Sequence, residues 1–118
     1  MTPDELRART GQFALNVIRV TEALPRTRAC DVMARQLVRC GTSVGANYRA
    51  ACRARSQADF IAKMGIVEEE ADESIYWLEL LVDAVFFSAD LASPLIGEAN
   101  EILSITVASI KTARTRGS

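Results

Sequence analysis

Apolar residues recur at intervals of three and four along almost the whole chain, which is the period of one face of an α-helix. In the first segment they are spaced seven, four, three and four residues apart (Leu6, Phe13, Val17, Val20 and Leu24). Steps of three and four continue through three further segments. The pattern therefore predicts four amphipathic helices, at approximately residues 3–24, 27–53, 57–88 and 94–114.

Residues that typically start and end helices lie between these segments. Thr2-Pro3 and Ser93-Pro94 each place a capping hydroxyl before a proline at the first helical position. Pro25 ends the first helix, because the residue before a proline disfavours helical backbone angles. Short connections between successive helices predict an all-α, antiparallel up-down-up-down four-helix bundle that occupies residues 1–118 as a single domain.

The second helix contains a run of small residues, Gly41-Thr42-Ser43-Val44-Gly45-Ala46. Such a run weakens an isolated helix, so in a bundle it favours the close approach of a neighbouring helix, with a kink in the helix as the alternative. For Asn47, next in the chain, we expect a hydrogen bond to another helix. For Trp77, near the edge of the third helix's apolar face, we expect packing rather than recognition.

Composition limits the chemistry that this chain can perform. Its 118 residues are 49% hydrophobic and 25% charged, which is typical of a globular domain. The sequence contains no histidine, which excludes histidine-based triads and the Glu-x-x-His ligand pairs of di-iron bundles. We therefore expect no catalytic, cofactor-binding or metal site.

The cysteines and the polar start of the chain indicate a cytoplasmic protein. Cys30, Cys40 and Cys52 lie along one predicted helix at a rise of about 1.5 Å per residue, too far apart to form disulfides with one another. We expect them to be reduced and buried. No signal peptide and no transmembrane segment is predicted, and we expect no membrane partner.

Charge is strongly segregated although the net charge is only -1. Residues 26–55 carry seven arginines and one acid, whereas residues 56–92 carry nine acids and one lysine. The predicted outer face of the second helix holds an arginine stripe within roughly 80°, consisting of Arg28, Arg35, Arg39, Arg49 and Arg53.

The outer face of the third helix is predicted to combine acids with apolar residues, a combination that favours a partner surface over bare solvent. We expect it to meet the arginine face of a second copy, head to tail, so that repetition can close a ring. The predicted interface comprises Glu69, Glu73, Tyr76, Leu80, Asp83 and Phe87 on one copy, and Arg35 and Arg39 on the other.

The central part of the sequence resembles the bacterial four-helix bundle protein family, also called the large-subunit ribosomal RNA intervening-sequence protein family. The resemblance is carried by Gln36-Leu37-Val38-Arg39, Thr42-Ser43-Val44, Ala46-Asn47, Ser56, Asp59-Phe60-Ile61 and the stretch from Glu68 to Leu81. It implies a four-helix protomer that assembles into a ring, often a pentamer. A related protein, the accessory factor of diversity-generating retroelements, is a basic pentamer that binds nucleic acid and a reverse transcriptase.

Two departures from that family bear on partners. Many members have an acidic residue and a glycine after the asparagine, where this chain has Tyr48-Arg49-Ala50-Ala51. Its slightly acidic balance also contrasts with the basic surface that nucleic-acid binding requires. The main expectation is therefore a non-enzymatic, homo-oligomeric scaffold. A nucleic-acid-binding accessory factor that uses the arginine stripe, or one with another protein partner, is the alternative.

An enzymatic alternative rests on five residues of the third helix. Glu69-Glu70-Ala71-Asp72-Glu73 matches the E-E-x-x-E pattern of all-α nucleotide pyrophosphohydrolases, whose carboxylates hold Mg²⁺ against a triphosphate. A second acidic pair would be Glu98 and Glu101. Catalytic carboxylates should face into the bundle, whereas Glu69 and Glu73 are predicted to face outward, so this alternative is disfavoured.

Overall fold

The computed structural model describes residues 1–116, and within them the chain forms four α-helices. They are α1 (Pro3–Glu22), α2 (Arg28–Cys52), α3 (Gln57–Asp83) and α4 (Ala89–Arg116). Each helix packs against the next, and α1 also meets α4, which closes a bundle 49 Å long and 22 by 21 Å across. The predicted antiparallel four-helix bundle is confirmed.

The first three helices begin at hydroxyl caps, and the cap at Thr2 is one that the sequence predicts. In each, the cap oxygen accepts the backbone N–H of the residue three positions later, at 3.0–3.2 Å, in the pairs Thr2/Glu5, Thr27/Cys30 and Ser56/Asp59. These bonds satisfy N–H groups that have no partner within the helix. Apart from the junction between α3 and α4, the helix ends lie within two residues of the predicted ones.

The third helix ends at Asp83, so its predicted extension to residue 88 is wrong. Val85 has a φ of 64°, in the left-handed region. The N–H of Phe86 donates to the carbonyl of Leu81 at 3.0 Å, and the N–H of Val85 donates to that of Val82 at 2.9 Å. This is a Schellman ending, in which glycine usually occupies the left-handed position. Since valine occupies it here, the sequence lacks the usual stop signal.

The fourth helix begins at Ala89, so the predicted start at Ser93-Pro94 is also wrong. The hydroxyl of Ser88 accepts the N–H of Leu91 at 3.1 Å and caps an additional turn. Ala92 is fully buried within that turn, and its packing favours the longer helix. Pro94 therefore lies inside α4, where it has no N–H for the carbonyl four residues earlier.

The apolar faces of all four helices form one core. Its fully buried side chains include Phe13, Leu37, Met64, Leu78 and Ile102. Three polar residues are also buried, and each hydroxyl donates to a carbonyl of its own helix: Thr10 to Arg7, Ser74 to Glu70 and Thr106 to Ile102. Within residues 1–116, no buried side-chain polar atom lacks a hydrogen-bond partner.

The small residues of α2 allow α1 to approach closely, as predicted. A Cβ placed on Gly41 would lie 3.0 Å from Val17, and one on Gly45 would lie 3.2 Å from Thr10. Side chains at either position would have to displace α1 or its residues. These two glycines therefore allow the close approach of α1 to α2.

Two smaller expectations need correction. The side-chain amide of Asn47 donates to the carbonyl of Ser43 at 2.8 Å, within α2 itself, rather than to another helix. All three cysteines are free, but only Cys30 and Cys40 are buried, while Cys52 is exposed near the end of α2. Burial raises the pKa of the Cys30 and Cys40 thiols, which keeps both protonated at neutral pH.

Candidate interaction surfaces

An arginine between α2 and α3 organises the outer face of these two helices. Arg39 donates to Glu70 at 3.2 Å and also pairs with Glu73. The indole N–H of Trp77 donates to the same Glu73 carboxylate at 3.1 Å. We call these four residues the Arg39 cluster. Two of the residues predicted to face each other across an interface, Arg39 and Glu73, therefore meet within one chain.

An exposed tyrosine lies beside this cluster. The rings of Tyr76 and Trp77 meet edge to face, with centroids 5.0 Å apart and planes at 76°. Tyr76 is 54% exposed, which agrees with its predicted outward position. A half-exposed aromatic ring with a polar tip is typical of residues that anchor protein contacts.

The other two apolar residues of the predicted interface are less accessible. Leu80 is half-buried and packs against the core, because it lies roughly 40° around the helix from Tyr76 at about 100° per residue. Phe87 is also half-buried against the core, and it lies beyond the end of α3 because the chain turns back at Val85. Their predicted outward exposure is corrected accordingly.

Among residues 1–116, most of the other charges on these two faces form no ion pair. On α3 the exposed acids without an ion pair, among the described residues, are Glu69, Asp72, Glu79 and Asp83. On α2 and at its C-cap the corresponding arginines are Arg28, Arg35, Arg49 and Arg53. Like charges three and four positions apart on a helix repel one another. Glu69 and Asp72, Glu79 and Asp83, and Arg49 and Arg53 have this spacing, so each of these pairs carries repulsion that an opposite charge would relieve.

A second arginine–carboxylate group, which the sequence did not predict, joins α1 to α4. Arg9 donates to both carboxylate oxygens of Glu98, at 2.6 and 2.7 Å, and pairs with Glu101. We call these three residues the Arg9 cluster. The hydrogen bonds between Arg9 and Glu98 lower the pKa of Glu98 and raise the pKa of Arg9. The three-residue spacing of the glutamates is visible in the sequence, but nothing there indicates their partner.

The carboxylates of the enzymatic alternative do not converge. Glu70 and Glu73 are bound by Arg39 on the α2 side of α3, whereas Glu98 and Glu101 are bound by Arg9 on the α1 side of α4. Within the described part of the chain, no three His, Cys, Asp or Glu residues are placed to hold a metal ion. Over the same residues, no helix is long and apolar enough to cross a membrane.

A groove of about 710 Å³ runs between α1 and α2. Three arginines line it: Arg7 from α1, Arg49 from α2, and Arg53 at the C-cap of α2. Its other lining residues are small or neutral, namely Thr10, Gly11, Ala14, Thr42, Gly45, Ala46 and Cys52. The predicted arginine stripe is thus divided. Arg39 pairs with acids of α3, whereas Arg49 and Arg53, at the C-terminal end of the stripe, line this groove.

These features define an antiparallel four-helix bundle whose distinctive elements are two charged faces and a groove. Residues 5–108 match the family described as 23S rRNA-intervening sequence protein. This match spans most of the chain, and the protein belongs to that family. The resemblance found in the sequence is thereby confirmed. No curated protein matches the chain.

A solved structure supports the same assignment. The chain is similar to a protein of unknown function from the S23 ribosomal protein family of Bacteroides thetaiotaomicron VPI-5482, whose crystal structure was determined at 1.70 Å resolution. The two are 33% identical, with a TM-score of 0.87 over 94% of this chain and 99% of that one. Neither description assigns an enzymatic activity.

Proposed function

We propose that this protein is a non-enzymatic scaffold that works as a homo-oligomer, with the outer face of α2 in one copy against the outer face of α3 in the next. The observation that carries the proposal is the separation of unpaired charge. Exposed arginines lie along α2, unpaired acids lie along α3, and Tyr76 is exposed beside the acids.

Charge position along the bundle is consistent with a ring. Because α2 and α3 are antiparallel, the start of α2 and the end of α3 lie at the same end of the bundle. In a ring whose protomers stand side by side, residues at equal heights meet. Arg28 and Arg35 of one copy would then face Glu79 and Asp83 of the next.

The sequence predicts that Arg39 and Glu73 meet across the interface between two copies. In this arrangement they instead pair within one copy. Since Arg39 already bonds Glu70 and Glu73, these charges do not have to be neutralised by the neighbouring copy. Glu73 instead accepts the indole N–H of Trp77, and the ring of Trp77 contacts the exposed ring of Tyr76. A rigid aromatic residue costs little conformational entropy when it is buried in a contact.

A head-to-tail contact of this kind repeats until it closes into a ring or extends into a filament. The family resemblance favours a closed ring of five copies, and five is the number that we propose. The scaffold would then offer its partners either the outer surface of the ring or its central opening.

The test compares one exposed residue inside the proposed contact with one outside it. Tyr76→Ser removes the aromatic ring, and Leu15→Ser is the control, because Leu15 is 48% exposed on α1. Light scattering should give a multiple of the 12.9 kDa chain mass for the wild type and for Leu15→Ser, and a smaller mass for Tyr76→Ser. A wild-type protein at the mass of one chain would overturn the proposal, as would an unchanged mass for Tyr76→Ser.

A further inference from the structure

We infer that the groove between α1 and α2 binds the phosphate groups of an extended polyanion. The groove uses the arginines at the C-terminal end of α2, whereas Arg28 and Arg35, toward the start of α2, belong to the proposed ring contact. Arg7, Arg49 and Arg53 line one continuous groove, and no acidic residue is among its lining residues. Guanidinium groups suit phosphate because their planar N–H donors match two phosphate oxygens at once.

The three arginines are available to a ligand. Arg49 and Arg53 are exposed and have no ion pair among the described residues. Arg7 pairs with Asp4, whose side chain is 86% exposed. A surface ion pair of this kind is weak, so a phosphate can replace that carboxylate.

A glycine in the groove leaves room for a ligand beside the arginines. Gly11 lies in the middle of α1, where glycine is unfavourable. A Cβ at that position would meet no atom within 4 Å, so packing inside the chain does not require glycine there. Gly45, by contrast, is required by the contact with Thr10. The absence of a side chain at Gly11 keeps the groove open and lets a ligand approach the helix backbone.

The lining residues also indicate which part of a ligand is recognised. No aromatic residue lines the groove, so bases have nothing to stack on. Recognition would therefore rest on the repeating phosphate groups alone. Inorganic polyphosphate and a single-stranded oligonucleotide share that chemistry, and competition between them shows whether the groove distinguishes the two.

The experiment measures fluorescence anisotropy of a labelled single-stranded RNA oligonucleotide at several salt concentrations, with inorganic polyphosphate as competitor. Three arginine–phosphate contacts predict a slope of log K against log salt of about -2. Arg49→Ala with Arg53→Ala should reduce that slope to about -0.7 and weaken binding by roughly tenfold or more. Oligonucleotides of different base composition should bind equally, and polyphosphate should compete at a similar phosphate concentration.

Two further variants make the result specific. Arg28→Ala with Arg35→Ala removes the same charge from α2 outside the groove, and should leave oligonucleotide binding within about twofold of the wild type. Gly11→Gln leaves the charge unchanged and favours the helix, so its thermal midpoint should rise while binding is lost. Equal weakening by both arginine pairs, strong base preference, or full binding by Gly11→Gln would overturn the inference.

The same variants separate this inference from the proposed assembly. Arg49→Ala with Arg53→Ala should keep the wild-type mass in light scattering while losing the oligonucleotide. Arg28→Ala with Arg35→Ala should lower the mass and keep oligonucleotide binding. A monomeric wild type that still binds through the groove would contradict the scaffold proposal alone.

Discussion

Two edges of this bundle contain the same arrangement, one arginine that bonds two glutamates three residues apart on another helix. Arg39 bonds Glu70 and Glu73 between α2 and α3, and Arg9 bonds Glu98 and Glu101 between α1 and α4. The side chain of Arg9 is 26% exposed, whereas that of Arg39 is 46% exposed.

The two clusters differ in role because the two pairs of helices differ in how closely they pack. The second and third helices share an extensive interface, so their association does not depend on the Arg39 cluster. The first and last helices approach each other least, and the Arg9 cluster bridges them. The same residue pattern therefore closes the fold at one edge and shapes an exposed aromatic surface at the other.

The largest expected effect tests how α1 is held in the bundle. Gly41→Val would press its side chain against Val17, which lies 3.0 Å from the position that a Cβ on residue 41 would take, and should destabilise the protein by about 3 kcal/mol. Gly65→Val is the control, since a Cβ there meets nothing within 4 Å. Urea unfolding should show a large loss for the first variant and little change for the second. Equal effects would mean that the close contact of α1 with α2 is unimportant.

The next prediction compares the two arginines directly. Arg9→Met should cost about 1.5 kcal/mol of unfolding free energy, because it leaves two carboxylates together at a partly buried edge. Arg39→Met should cost only about 0.5 kcal/mol, because its ion pairs are more exposed. Chemical denaturation at low protein concentration measures both. A larger loss for Arg39→Met would reverse the roles that we assign to the two edges.

A reference substitution lies outside both clusters. Val85→Gly should stabilise the protein by about 1 kcal/mol, because glycine adopts the left-handed conformation without steric cost and Val85 is 87% exposed. Combined with Arg9→Met, its effect on the free energy of unfolding should be additive. Destabilisation by Val85→Gly would show that the valine side chain makes a contact worth more than its strain.

The smallest predicted effect is a pH dependence specific to the Arg9 edge. The folded-state pKa of Glu98 is lowered from 4.5, so the unfolded chain binds its proton more readily. The stabilisation is therefore present above pH 4.5 and is lost as the pH falls through the lowered value. Between neutral pH and about pH 3, Arg9→Met should lose less stability than the wild type. Equal losses of stability in the wild type and in Arg9→Met would contradict the assignment of this pH dependence to the Arg9–Glu98 pair.

Periodicity and capping residues were sufficient to predict the four helices, since they depend on local chemistry. The junction between α3 and α4 was missed because both of its signals mislead. Val85 occupies a position where glycine is usual, and Pro94 lies inside a helix that it was expected to start. Tertiary packing of Phe86 and Ala92 outweighed these local preferences.

The candidate surfaces were predictable as faces but not as contacts. Spacing placed Tyr76 outward and Arg39 on the outer side of α2, and both are exposed. The pairing of Arg39 with Glu73 depends on the reach of two long side chains across neighbouring helices, which periodicity does not describe. For the same reason the partner of Glu98, and the place of Arg7 in the groove, emerged only from the folded chain.

The most direct test of the proposed assembly is the native mass of a protein with exchanged charges. One parent carries Arg28→Glu and Arg35→Glu, a second carries Glu79→Arg and Asp83→Arg, and the third variant combines all four substitutions. We expect both parents to lose the oligomer, through like-charge repulsion, and the combined variant to recover it. Oligomeric parents, or a combined variant that remains at the mass of one chain, would contradict a contact between α2 of one copy and α3 of the next.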